Sequence, residues 1–126
     1  MARNRPTAAE LIEAVTEFLA TEVDQEVITA DVKFRLRVAR NVLDIVAREC
    51  RSGPEHDQRE RIALQELLGE ESNDLSQLNQ ALCERLRRGD FDSRTDEVMP
   101  VLTDITMDKL SIDNPRYSTY KELKQP

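Results

Sequence analysis

Glycine, histidine, cysteine and aromatic residues are all scarce in these 126 residues, and each scarcity closes off a class of protein. Three glycines and five prolines are too few to reverse a chain repeatedly, which argues against a sandwich or barrel. No glycine-rich loop is present to cradle a phosphate. The single histidine, His56, lies in the polar stretch PEHDQRERI and reads as an exposed surface residue. It cannot supply the two Glu-x-x-His pairs of a di-metal bundle, and no serine or cysteine has an evident link to it as a nucleophile. Cys50 and Cys83 stand apart, without a CxxC or any short zinc-ligand spacing. No metal or other cofactor is expected, and both cysteines read as small buried hydrophobes in a reducing compartment. Apolar runs fall short of the ~18 residues of a membrane span, and the opening MARNRPTAAELIEA lacks the continuous apolar segment of a signal peptide. A cytoplasmic protein without a membrane partner is the expectation.

The residues that are abundant favour helices. Hydrophobic residues make up 39% of the chain and charged residues 34%, a balance too apolar for disorder. The net charge of -7 opposes a nucleic-acid backbone. Thr7-Ala8-Ala9-Glu10 matches a capping box and starts a first helix over about 8–24, with Leu11, Ile12, Val15, Phe18, Leu19 and Val23 on one face. A second helix, capped by Asp31, is expected over 31–51 and stops at Ser52-Gly53-Pro54; a third follows over 54–68, with Ile62, Leu64, Leu67 and Leu68, and ends before Gly69. Leu75, Leu78, Leu82 and Leu86 define a fourth over 73–88, closed by Gly89. A fifth, over 96–110, either begins a turn before Pro100 or kinks there, and 111–126 reads as an irregular tail broken at Asn114-Pro115 and anchored by Tyr117. The fold class is therefore all-α: a single-domain antiparallel bundle of four to five helices.

The stretch KFRLRVARNV, residues 33–42, interleaves four cations with apolar residues. At 100° per residue Lys33, Arg37, Arg40, Asp44 and Arg48 gather on one stripe, while Phe34, Leu36, Val38, Ala39, Val42, Leu43, Ile45, Val46 and Cys50 take most of the remaining circumference. Between Glu10 and Asp31 there are seven acids and no base; between Lys33 and Arg48 there are five bases and one acid. Antiparallel neighbours with these flanks match their charges internally, and no aromatic interleaves with the bases for stacking on nucleic acid. Three charges fall within the apolar arcs: Glu22 on the first helix, Arg35 and Glu49 on the second. A half-buried charge needs a partner, so a Glu22–Arg35 ion pair is expected, or else Arg35 reaches out to solvent. Arg37 and Asn41, i and i+4 at the border of the wet stripe, either tie this helix to a loop or the tail, or hold an anion.

Four segments, RPTAAELIEAVTEFLATEV, FRLRVARNVLDIVARE, LNQALCERLRRGDFD and KLSIDNPRY, in this order and spacing, resemble a family of small helical bacterial proteins, domain-of-unknown-function family 6285. Its members are alike around Arg37, Asn41, Arg48-Glu49, Gly89 and Asn114-Pro115-Arg116-Tyr117. Two departures stand out: Arg35 where the family pattern has a histidine, and Pro100 within a helix that is elsewhere continuous. Members often sit beside genes for aminoglycoside-phosphotransferase-like kinases and acyl-CoA dehydrogenases. The resemblance therefore implies a non-catalytic accessory protein that supports such an enzyme in acyl or hydroxy-acid catabolism. A second reading is a ligand-binding protein or enzyme whose Arg37, Asn41, Arg116 and Tyr117 form an anion site for a phosphorylated or CoA-linked acid, with the tail folded back on the second helix. A third is a homodimer through the leucine face of the fourth helix.

Overall fold

The computed structural model describes residues 6–23 and 27–125 and contains five helices. They are α1 (Ala8–Thr21), α2 (Ala30–Leu68), α3 (Leu75–Arg87), α4 (Thr95–Asp113) and α5 (Ser118–Lys124). Among the described residues there is no strand, so the all-α class holds. The chain divides into two compact units, Met1–Gly53 and Pro54–Pro126.

In the first unit α1 opens with the capping box read from the sequence. Thr7 Oγ1 accepts the Glu10 N–H at 3.1 Å, and Glu10 Oε1 accepts the Thr7 N–H at 3.0 Å. The helix ends at Thr21 with Glu22 as its C-cap; the end expected at Asp24 lies outside the described residues. Thr29, not Asp31, caps α2: its hydroxyl accepts the Val32 N–H at 3.3 Å, and its carbonyl accepts the Lys33 N–H at 3.0 Å. That leaves Asp31 in the first turn, where its negative charge complements the helix N-terminus.

Arg51 Nη2 reaches Glu13 Oε1 at 2.6 Å, so the start of α1 lies beside residue 51 of α2 and the two helices run antiparallel. The less exposed side chains of α1 include Ala9, Ile12, Thr16 and Leu19, spaced 3-4-3, with Val23 just beyond the helix continuing the row; on α2 they include Leu36, Arg40, Leu43 and Ala47. These are the two sides of one helix–helix seam. Only Ala9 and Ala47 among its apolar residues are fully buried.

The sequence expectation of a break at Ser52-Gly53-Pro54 is overturned, because α2 continues through it for 39 residues with Pro54 inside. Proline removes one N–H and costs a helix interior about 3 kcal/mol. Keeping the helix continuous retains the turns on both sides of Pro54, which a break would give up.

The second unit has a true core. Leu64, Leu67 and Leu68 of α2, Leu78 and Leu82 of α3, Phe91 and Val98 pack together, with Leu75, Ala81, Val101, Leu102 and Ile105 around them. Asp74 caps α3 by accepting the Ser76 N–H at 2.9 Å. Gly69 and Gly89, at φ of 68° and 84°, end α2 and α3 in left-handed geometry that a side chain would strain. Arg85 joins these ends: its Nη1 donates to the Leu68 carbonyl at 2.7 Å and its guanidinium lies 4.8 Å over the Phe91 ring. Pro100 is the sixth residue of α4, so the helix begins a full turn before it. The tail expected to be irregular forms α5 beyond Asn114-Pro115, and its anchor is the buried Tyr120, whereas Tyr117 is exposed.

Candidate functional site

Two features of the molecule carry functional interest, one in each unit. In the second unit α2 and α4 bring charged side chains together. Asp108 receives both arms of Arg59, with Nε to Oδ2 at 3.1 Å and Nη2 to Oδ1 at 2.7 Å, and Arg59 also holds Glu55. The Asp108 hydrogen bond raises the Arg59 guanidinium above its already high ordinary value, so this cation does not titrate at any working pH.

The next residue on α2 is Glu60, whose buried carboxylate accepts from Asn79 Nδ2 at 2.8 Å and Lys109 Nζ at 3.1 Å. His56 Nε2 stands 3.9 Å from Asp108 Oδ1, outside hydrogen-bond reach, and its Nδ1 is buried without a partner. The side chain is mostly covered, not the exposed histidine expected from the polar stretch around it, because its turn of α2 packs beside α4. A groove of about 500 Å³ runs past this cluster, with Ile62, Ala63, Ile105 and Met107 in its walls and Glu66 and Asp104 at its edge.

Chemically the two cations of the cluster are each spoken for. The Arg59 fork occupies both Asp108 oxygens, and Glu60 accepts from an amide and an ammonium. The charge pairs join α2 to α4, and the Asn79 amide joins α2 to α3. Neither Glu60 nor Asp108 stands out in the sequence, because α2 and α4 each carry several acids with nothing local to tell them apart.

The residues singled out from sequence are placed as follows. Arg37 and Asn41 are exposed on α2 in the first unit, and Arg116 and Tyr117 are exposed around the start of α5 in the second. Of the two outcomes expected for Arg35, the structure shows the second: its side chain is exposed to solvent, where Nε pairs with Asp31 Oδ2 at 3.3 Å on the same helix and not with Glu22; an i,i+4 partner needs no second helix in register. Cys50 and Cys83 are free thiols, and both are exposed, which corrects the buried placement expected of them. The leucine face of α3, offered as a dimer surface, is used internally, with Leu78 and Leu82 in the core.

The second feature is the apolar surface of the first unit. Leu11, Val15 and Phe18 on α1, and Val32, Phe34, Val38, Val42 and Val46 on α2, are all exposed. The apolar face expected to be core on α1 therefore splits, with Ile12, Leu19 and Val23 turned toward the seam and Leu11, Val15 and Phe18 away from it. One neighbouring helix covers one stripe, and α2 has an apolar arc far wider than that. From sequence, α2 reads as a central helix with one wet edge; the exposure of Phe34, Val38, Val42 and Val46 overturns that, because too few neighbouring helices cover its arc.

Among the described residues no group of three or more His, Cys, Asp or Glu side chains is placed to hold a metal ion, and no helix is long and apolar enough to cross a membrane. The family model described as Domain of unknown function (DUF6285) matches residues 25–117. No curated protein and no solved structure matches the chain.

Proposed function

The chain belongs to the family Domain of unknown function (DUF6285), and from that premise we propose that it acts by association: a non-catalytic accessory protein whose first unit docks on an enzyme. One observation carries the reading. The unit exposes apolar stripes on both α1 and α2 while burying, among its described apolar residues, only two alanines, and surplus apolar surface of this kind marks interaction sites. The paired charges Arg59–Asp108 and Lys109–Glu60 of the second unit support the same view, since they are engaged in holding helices together. The partners in view are a phosphotransferase-like kinase or an acyl-CoA dehydrogenase-like enzyme of acyl or hydroxy-acid catabolism, and the setting is cytoplasmic.

The test is size exclusion with light scattering on the chain mixed with each enzyme type at about 10–100 μM. A co-eluting species is expected, and it should be lost in Leu11→Ser/Phe18→Ser, which removes the α1 stripe. Separate elution of chain and enzyme in both mixtures would rule out the accessory role.

A further inference from the structure

The exposed stripe of α2 is self-complementary about a single residue. Val42 is half exposed at 50%, with Val38 at 47% and Val46 at 40% beside it, and Ala39 and the partly exposed Ile45 complete the patch. Seven residues before Val42 stands Arg35; seven after it stands Glu49. Seven residues on an α-helix return to within about 20° of the starting direction, so Arg35, Val42 and Glu49 form one line along the helix, roughly 10 Å apart. Val38 and Ile45 flank that line on one side, Ala39 and Val46 on the other.

We propose that the partner of this stripe is a second copy of the chain, packed with its α2 antiparallel to the first across a two-fold axis at Val42. The inference rests on the reading of the first unit as an association surface, and it names that surface's partner. An isologous contact must satisfy itself: whatever residue i meets, that residue meets i. Here the two-fold brings Val42 against the second copy's Val42, Val38 beside its Ile45, Ala39 beside its Val46, and Arg35 across from its Glu49, with every contact repeated in reverse. The opposite charges fall at the two ends of the apolar patch and meet twice. A parallel pairing sets Arg35 against Arg35 and Glu49 against Glu49, so the charge order selects the antiparallel one.

Among the described residues nothing competes strongly for these charges. Arg35 holds only Asp31, in a pair whose side chains are 76% and 69% exposed, and Glu49 makes no ion pair among the described residues. The extent also fits. The stripe of α2 is smaller than the ~800 Å² per partner of a standard homodimer interface, the size class of weak and reversible association.

Sedimentation equilibrium of the full chain alone, from about 1 to 200 μM, is the experiment. A monomer–dimer equilibrium is expected for the natural sequence. Val42→Arg, which places two cations at the axis, should raise the dissociation constant by about 100-fold or more. Arg35→Glu and Glu49→Arg, each exposed and each leaving helix content by circular dichroism unchanged, should weaken the dimer by about tenfold, and the double variant should return to within about threefold of the natural chain. That rescue occurs only if the two residues meet across the interface. A chain that stays monomeric to the highest concentration, or a dimer that the exchanged pair does not restore, overturns the proposal. The enzyme mixtures above report separately: a dimer without enzyme binding leaves this inference standing and removes the accessory role, and a monomer that binds enzyme does the reverse.

Discussion

At the scale of single residues, burial decides which charges matter. Glu60 is covered and joined to Asn79 and Lys109, whereas Arg35 and Asp31 form a solvated pair. Removing one member of a buried network strands the others, while an exposed ion pair contributes little. Glu60→Ala should therefore lower stability by about 2 kcal/mol in urea melts, and Arg35→Ala by less than about 0.5 kcal/mol. Equal effects would mean that the Glu60 network does not stabilise helix packing. The Arg59 guanidinium adds no pH dependence in the range where the protein is folded. Its value is raised on folding, so its contribution is complete below the ordinary arginine value and lost only as pH climbs through the raised one, far into alkali. None of these partnerships was legible in the sequence, since Glu60, Asn79 and Lys109 lie far apart in it and nothing local distinguishes them from the chain's other charged and amide residues.

At the scale of elements, the start and stop signals were read with uneven success, and the reason is whether a signal acts alone. The capping box at Thr7 and the glycines at 69 and 89 work because each satisfies or frees the backbone at one position, whatever surrounds it. Gly53-Pro54 looked equally decisive, yet α2 passes through it. A break there would give up the helical turns on both sides, and one missing hydrogen bond is the smaller loss. Gly53→Ala tests this continuity. The new methyl would stand 2.7 Å from Glu49 Oε1, the tip of a side chain free to swing aside, so alanine's helix propensity should dominate. A gain of about 0.5–1 kcal/mol is expected, seen as a Tm rise of roughly 2–5 °C. A loss of similar size would indicate that α2 bends or opens at Gly53.

At the scale of the whole molecule, burial is uneven: the second unit owns the cluster built on Leu64, Leu78, Leu82 and Phe91, and the first owns a seam with two buried alanines. Local stability follows buried apolar contact, so amide hydrogen exchange should be fastest in α1 and slowest in α3 and residues 60–68 of α2. If the stripe at Val42 is covered by a second copy, protection of residues 34–50 should rise with protein concentration while that of α3 does not. The all-α class, the capping box and the leucine row of α3 were determined by the sequence itself, because each follows from periodicity or from chemistry within one turn. Tertiary structure alone decided which of the apolar stripes is core and which is surface. Periodicity marks every apolar stripe alike, and only the number of neighbouring helices sets how many of them are covered.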